Sequence, residues 1–170
     1  IRSKMVILTG GEPAIRPLEA LVSSLHQRQH LVHIETSGAF PIKDLYQVPN
    51  GSECLDWITV SPKKWAMPMD ECWLRADELK FIIETPEDID FYYTAWLGAL
   101  RRHNIVEDRE LPVWLHPEWS HREDPIVLEA ITKAVKGQKA NFRAGWQIHK
   151  LYKADLLDDR SRPAVPLGGN

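Results

Sequence analysis

The chain has 170 residues, of which 44% are apolar and 26% charged, and its formal net charge at pH 7 is −3. This length suffices for one globular domain with its own hydrophobic core. The slightly acidic composition argues against a surface for duplex nucleic acid, and no apolar run reaches the roughly 18 residues of a membrane span or forms a signal segment. We therefore expect a cytoplasmic protein with neither nucleic acid nor membrane as partner.

Short apolar runs rich in β-branched residues alternate along the chain with helical patterns. The runs predict strands at residues 5–8, 31–34, 57–60, 79–83 and 113–115, with a weaker one at 146–149. The longer connections at 38–55 and 64–77 contain Pro, Gly or Asn and are predicted to be loops or lids.

Three helices are predicted between these strands. Thr85 and Asp124 are the predicted N-caps of the second and third helices, where Pro86 and Pro125 take the first helical position, and Gly137 follows the end of the third. The apolar residues that share one face are Leu18, Leu21, Val22 and Leu25 in the first helix, Ile89, Trp96, Leu97 and Leu100 in the second, and Val127, Ala130 and Ile131 in the third.

Strands that are apolar throughout and separated by helices predict an α/β fold, a mostly parallel sheet covered by helices, in one domain spanning residues 1–170. Ligands bind such sheets at the C-terminal ends of the strands. This rule directs attention to the residues that follow each strand.

Polar groups follow four of the predicted strands. The segments are Thr9-Gly10-Gly11-Glu12, Glu35-Thr36-Ser37-Gly38, Ser61-Pro62-Lys63-Lys64 and His116-Pro117-Glu118. Glycines allow a ligand to approach the backbone, and a carboxylate beside a lysine suits an amino acid or an aminoacyl-like cofactor. Each segment alone also fits a structural role: a tight turn at Gly10-Gly11, a helix cap at Glu12, a solvated Lys63. Four segments at one edge favour a ligand site.

Two residue types leave their roles open. Cys54 and Cys72 lack a C-x-x-C spacing, so two reduced thiols are the simpler interpretation than a disulfide or a metal site. The seven tryptophans are expected mainly in the core or at a dimer interface. For Trp65 and Trp73, in the loop at 64–77, a second possibility is that they cover a cofactor.

The segment Thr9-Gly10-Gly11-Glu12-Pro13 resembles the GGEP motif of radical S-adenosylmethionine enzymes. The series TGGEP, ETSG (35–38), VSPK (60–63), ELKFII (78–83), LHP (115–117) and WQIHK (146–150) is similar to the 7-carboxy-7-deazaguanine synthase family over almost the whole chain. The resemblance implies a partial (β/α) barrel of radical S-adenosylmethionine type and a homodimer. It also implies S-adenosylmethionine, a [4Fe–4S] cluster and Mg²⁺ as cofactors, and flavodoxin or another reductant as partner.

The reaction implied by the resemblance belongs to queuosine and deazapurine biosynthesis. A 5′-deoxyadenosyl radical starts the ring contraction of 6-carboxytetrahydropterin to 7-carboxy-7-deazaguanine, with loss of ammonia. Such a lyase uses the cofactor for the difficult chemistry, while the protein positions the substrate and excludes water.

The resemblance also implies roles for individual residues. Cofactor contacts are implied for Gly10, Gly11, Glu12, Ser61, Pro62, Lys63, His116, Pro117, Glu118 and Trp119. Substrate contacts are implied for Thr9, Gln147, His149 and Lys150, with a structural use of His149 as an equal alternative. The sequence departs from the family pattern at Ser37, where Asn is usual, and at His116, where Gln is usual.

Three cysteines hold the cluster in such enzymes, and this sequence has no equivalent of them. Because the first residue is Ile1, we expect the first strand and the cluster loop to precede this chain. We therefore assign no catalytic residue and no metal ligand, and expect the chain alone to be inactive. Two alternatives stay open: another radical S-adenosylmethionine enzyme, such as a glycyl-radical activase, and a non-catalytic module that binds a nucleoside or a protein.

Overall fold

The computed structural model describes residues 3–42, 55–105, 111–137 and 140–147, and in these ranges six strands form one sheet. The strands are β1 (Met5–Leu8), β2 (Leu31–Thr36), β3 (Trp57–Val60), β4 (Glu78–Ile83), β5 (Val113–Pro117) and β6 (Phe142–Ala144). Each strand pairs in parallel with the next one along the chain. A parallel sheet whose strands follow chain order is the arrangement of an open (β/α) barrel.

In the described ranges, four helices lie between these strands. They are α1 (Glu19–Gln27), α2 (Asp70–Arg75), α3 (Glu87–Arg102) and α4 (Pro125–Lys136). Right-handed crossovers place connecting helices on the same face of such a sheet. Short 3₁₀ helices follow β1 at Pro13–Ile15 and β5 at Trp119–His121. None of the helices in the described ranges has the length and apolar composition of a membrane span.

Side chains alternate between the two faces along the central strands. One face is buried against the helices, in a core that includes Val32, Ile34 and Phe81 from strands and Val22 and Trp96 from helices. We call the opposite side the open face. Its residues on β2 to β5 include His33, Glu35, Thr59, Glu78, Lys80, Ile82, Trp114 and His116. The expectation of strands apolar throughout is therefore wrong, because only the helix-covered face must exclude polar groups.

The predicted ends of α4 are confirmed. The Asp124 carboxylate accepts a hydrogen bond from the backbone N–H of Ile126 at 2.9 Å, Pro125 is the first helical residue, and Gly137 follows the last turn. The apolar face is also as predicted, because Val127 and Ile131 are buried.

The start of α3 differs in detail from the prediction. Its first helical residue is Glu87, and the Thr85 hydroxyl donates to Asp88 Oδ1 at 3.2 Å instead of accepting a helix N–H. Asp88 is buried and accepts the backbone N–H groups of Glu84 and Thr85 at 2.9 and 3.0 Å. The carboxylate of Asp88, rather than Thr85, therefore fixes the turn that enters the helix.

Three local predictions are wrong. The loop predicted at 64–77 contains α2, which has no capping side chain and is held by the burial of Cys72 and Trp73. In the described ranges the strand that follows α4 is β6, and Trp146 and Gln147, the described residues of the predicted strand 146–149, lie outside any strand. Leu21 is 46% exposed, because α1 buries only Val22 and Leu25.

Candidate functional site

The C-terminal ends of the strands bring together the segments that follow β1, β2, β3 and β5. Contact between neighbouring segments is direct, since the backbone N–H of Ser61 donates to the Thr36 carbonyl at 2.8 Å. Parallel strands end at the same edge of a sheet, so the predicted meeting of these segments is confirmed.

Glu12 is fixed at this edge by four hydrogen bonds. Its Oε1 accepts from the Thr36 hydroxyl at 2.6 Å and from the Ala14 N–H at 3.1 Å. Its Oε2 accepts from the Ser37 N–H at 2.7 Å and from the Ser37 hydroxyl. Glu12 thereby caps the 3₁₀ helix, the structural role considered above, and links β1 to β2. Its contact with a ligand ammonium stays a prediction.

Gly10 and Gly11 form a left-handed turn directly after β1. Their φ angles are +88° and +50°, a region that residues with a Cβ rarely adopt. A Cβ built on Gly10 would meet nothing within 4 Å, so the backbone here has open space beside it. The glycine is therefore needed for its backbone angle, and the turn is accessible to a ligand.

The segment after β3 is attached to the start of α3. Lys64 Nζ lies 2.8 Å from Asp88 Oδ1 and 3.4 Å from Glu84 Oε2. The hydrogen bond to Asp88 raises the pKa of Lys64. Burial acts to raise the pKa of Asp88, but Lys64 and two backbone N–H groups outweigh it and lower the pKa below its usual value. Earlier in the segment, Lys63 Nζ donates to Ser61 Oγ at 3.4 Å.

The residues after β5 make local contacts. Glu118 accepts the N–H of Ser120 at 2.6 Å and also its hydroxyl, so it caps the 3₁₀ helix. Burial acts to raise the pKa of Glu118, but the donors of Ser120 outweigh it and lower the pKa. The guanidinium of Arg122 lies 4.4 Å from the ring centroid of Trp119. Cofactor contacts of Glu118 and Trp119, and of His116 and Pro117 before them, stay predictions.

A cavity of about 640 Å³ on the open face was not predicted. It is lined by Glu35, Glu78, Lys80, Trp114, His116, Ala144, Gly145 and Trp146. Lys80 Nζ lies 3.1 Å from Glu35 Oε2, and the Arg143 guanidinium lies 5.6 Å from the centroid of the Trp114 ring. The signal for this cavity is present in the sequence: His33 and Glu35 on β2, and Glu78 and Lys80 on β4, are polar residues two positions apart, which mark a strand face not closed by helices.

The predicted substrate residues are only partly described. Thr9 is exposed at the end of β1, and Gln147 follows Trp146 of the cavity wall. Gln147 Oε1 is buried and has no hydrogen-bond partner in the described ranges. His149 and Lys150 lie outside the described residues, as does Cys54.

The remaining thiol and aromatic side chains are now placed. Cys72 is buried, and burial raises its pKa to about 12, which agrees with a reduced structural thiol. Trp73 is buried in the core, whereas Trp65 is 76% exposed. In the described part of the chain, no group of three or more His, Cys, Asp or Glu side chains is arranged to hold a metal ion.

No protein-family model matches the chain, whereas individual known proteins do. The chain is 31% identical over 150 residues to the 7-carboxy-7-deazaguanine synthase of Flavobacterium psychrophilum, covering 87% of this chain and 61% of the relative. The synthase of Synechocystis sp. is 37% identical over 118 residues, and the match covers 69% of this chain and 49% of that relative. The synthase of Prochlorococcus marinus is 33% identical over 161 residues, and the match covers 86% of this chain and 66% of that relative. The chain thus spans between about half and two thirds of these relatives.

Among solved structures, the crystal structure of QueE from Escherichia coli is similar, with a TM-score of 0.63 at 22% identity. The match covers 86% of this chain and 57% of that chain. Together with the parallel sheet in chain order, it shows the fold of a partial (β/α) barrel. The sequence relatives narrow the class further: the chain belongs to the 7-carboxy-7-deazaguanine synthase family.

Proposed function

We propose that this chain supplies the cofactor edge and the substrate cavity of a 7-carboxy-7-deazaguanine synthase. The reaction is the ring contraction of 6-carboxytetrahydropterin with loss of ammonia. The observation that carries the proposal is the accessible glycine turn at Gly10-Gly11, next to the fixed carboxylate of Glu12 and at the strand ends above the polar open face.

The strand-end groups fit the amino-acid part of S-adenosylmethionine. Glu12 provides a countercharge for the ammonium, and the turn at Gly10 leaves room for backbone contacts. Two of the four donors to Glu12 are hydroxyls, of Thr36 and Ser37, which rotate readily and leave the carboxylate able to accept from an ammonium. When bound, S-adenosylmethionine supplies the 5′-deoxyadenosyl radical.

The residues of this chain do not fit a [4Fe–4S] cluster. Its sequence contains two cysteines, and Cys72 is a buried thiol whose pKa burial raises to about 12. A cluster of this type needs thiolates that can approach the same iron–sulfur group. We therefore assign no cluster ligand and no Mg²⁺ ligand to this chain, and we derive no step through either group.

The cavity on the open face has the chemistry that a reduced pterin requires. The carboxylates of Glu35 and Glu78 can accept from the N–H groups of the aminopyrimidinone edge, and Lys80 and His116 offer partners for the substrate carboxylate. The ring of Trp114 gives a flat wall. The cavity volume of about 640 Å³ is within the usual range for small-molecule sites. In this site the protein orients the ring and excludes water.

The decisive experiment uses the natural full-length polypeptide, reconstituted anaerobically with iron and sulfide. The proposal predicts cluster absorbance, reductive cleavage of S-adenosylmethionine to 5′-deoxyadenosine, and conversion of 6-carboxytetrahydropterin. Absence of both cluster and cleavage would reject it. Cleavage that leaves the pterin untouched would favour an activase, and a gene without a three-cysteine segment would favour a binding module.

The proposed enzyme is a homodimer that receives its electron from flavodoxin or another small reductant in the cytoplasm. Light scattering of the full-length protein tests the dimer. Replacing a chemical reductant by reduced flavodoxin in the cleavage assay tests the electron donor.

A further inference from the structure

One row of the open face contains two carboxylates on either side of a hydroxyl. Glu35 on β2, Thr59 on β3 and Glu78 on β4 are direct neighbours in the strand register. Adjacent strands are about 4.8 Å apart, so the three side chains start from one line across the sheet. Both carboxylates line the cavity proposed for the pterin, whereas Thr59 is 1% exposed.

Each carboxylate is held through one of its two oxygens. Lys80 Nζ lies 3.1 Å from Glu35 Oε2, and the Thr59 hydroxyl donates to Glu78 Oε1 at 3.1 Å. In the described ranges neither Glu35 Oε1 nor Glu78 Oε2 has a hydrogen-bond partner. An ionised carboxylate has about four acceptor positions, so each group retains capacity for donors from a ligand.

The direction of the Thr59 hydroxyl indicates which tautomer of His33 fits beside it. His33 Nε2 lies 2.7 Å from Thr59 Oγ, whose single hydrogen is directed to Glu78. The imidazole must therefore donate from Nε2 while Thr59 accepts. Burial lowers the pKa of His33 against the opposing effect of Glu35 and Glu78, and a neutral imidazole protonated at Nε2 meets this requirement. The chain of donors thus runs from His33 through Thr59 to Glu78.

We propose that Thr59 is a positioning residue of the substrate cavity, whose hydroxyl holds the Glu78 carboxylate so that its second oxygen faces the N–H donors of the bound heterocycle. The inference rests on the function proposed above. It adds a residue that does not line the cavity and acts only through Glu78.

The test replaces Thr59 by Val, which removes the hydroxyl while keeping the size and the β-branched shape. In the full-length enzyme, Thr59→Val is expected to raise the KM for 6-carboxytetrahydropterin on the order of tenfold, the usual cost of losing a hydrogen bond to a charged group. Cleavage of S-adenosylmethionine without pterin should be unchanged. Thr59→Ser, which keeps a hydroxyl, should restore the KM to within about twofold of wild type.

Thr132→Val is the matched control. The Thr132 hydroxyl donates to the Leu128 carbonyl on the exposed side of α4, so the same loss of a hydroxyl there should leave the KM unchanged. A KM of Thr59→Val equal to that of the control would overturn the proposal. So would an equal rise in the KM for Thr59→Val and Thr59→Ser, because it would indicate packing at this position instead of the hydrogen bond.

Glu78→Gln keeps the inference testable even if Thr59→Val does not fold. Because Glu78 is only half-buried, this substitution should be tolerated, and it should raise the pterin KM to a similar extent. Where both variants fold, Thr59→Val should have no further effect in the Glu78→Gln background, because the two residues act as a unit. Additive effects, or a KM unchanged in Glu78→Gln, would contradict the proposal. Loss of cleavage and turnover in the wild type would instead reject the proposed function.

Discussion

At the scale of single residues, Glu12 combines a structural and a functional position. Its carboxylate closes the 3₁₀ turn after β1 and accepts the donors of the segment that follows β2. The same group lies next to the accessible glycine turn. A change at Glu12 should therefore affect both the fold and ligand binding.

Glu12→Gln is expected to lower the free energy of unfolding by about 1–3 kcal/mol, because an amide cannot accept all the donors that face the carboxylate. The affinity for S-adenosylmethionine should fall at least on the order of tenfold, since the countercharge is lost. Urea denaturation and equilibrium binding measure the two effects. Glu129→Gln is the control, because Glu129 pairs with Lys133 on the exposed surface of α4. Equal behaviour of the two variants would contradict the role of Glu12.

Gly145→Ala probes the wall of the cavity. A Cβ at Gly145 would collide with Nε2 of His116, so the imidazole must move away from its place in the cavity. We expect a loss of stability of about 1–3 kcal/mol from overpacking. We also expect a higher KM for the pterin, measured in the full-length enzyme.

Gly98→Ala provides the comparison for Gly145→Ala. Its Cβ would meet only the flexible end of Arg102 at 3.3 Å in the interior of α3. This substitution should stabilise the protein by about 0.5–1 kcal/mol, because alanine favours a helix more than glycine does. If both glycine variants were stabilised alike, the close contact at His116 would be refuted.

At the scale of elements, ionic and hydrogen-bonding contacts attach the loops to the sheet and helices. Asp56, just before β3, accepts the backbone N–H of Val32 in β2 at 2.7 Å. Asp77, just before β4, accepts that of Ile58 in β3 at 2.9 Å, so the starts of β2 and β3 are each attached to the segment before the next strand. Asp88 does the same at the start of α3 and also binds Lys64 of the segment after β3. The starts of β2, β3 and α3 are thus held by carboxylates.

Asp88→Asn tests this attachment and its dependence on pH. The pKa of Asp88 is lowered from its ordinary value of 3.8, so the carboxylate stabilises the fold above that value and loses this effect as the pH falls through the lower folded-state pKa. At pH 7 the free energy of unfolding of the variant should be about 1–3 kcal/mol lower than that of the wild type. The difference should shrink below about pH 4, as urea denaturation at several pH values can show. A difference that does not change with pH would argue against an ionised Asp88.

At the scale of the whole molecule, the two faces of the sheet differ in the residues they present. The helix-covered face contains the buried aliphatic core, whereas the open face contains the charged and aromatic side chains of the cavity. The strand ends at its edge contribute the residues proposed to contact S-adenosylmethionine. The groups proposed to bind two small molecules therefore lie in a chain that spans only part of its relatives.

The 170-residue chain by itself is expected not to cleave S-adenosylmethionine, because its two cysteines cannot hold a [4Fe–4S] cluster. An anaerobic assay for 5′-deoxyadenosine measures this, with the full-length polypeptide as the positive control. Cleavage by the isolated chain would show that the cluster is held in another way.

Several features follow from the sequence because they depend on neighbouring residues. The strands β1 to β5 were predicted from apolar runs, and the ends of α4 from Asp124, Pro125 and Gly137, since capping and proline geometry act within one turn. The glycine turn after β1 and the family resemblance also depend on contiguous residues. The alternation of polar and apolar residues along β2 and β4 is likewise a local pattern, and it indicates the open face.

Other features were decided only by tertiary structure. The helix α2 exists because Cys72 and Trp73 reach the core, which no local signal indicates. The chain from His33 through Thr59 to Glu78 joins three strands, so its members meet only when the sheet register brings them into one row. Local sequence patterns thus predict the parallel fold and the strand-end residues of the proposed cofactor edge. The cavity and the partners of each charged group required the folded sheet, because they depend on contacts between residues distant in the chain.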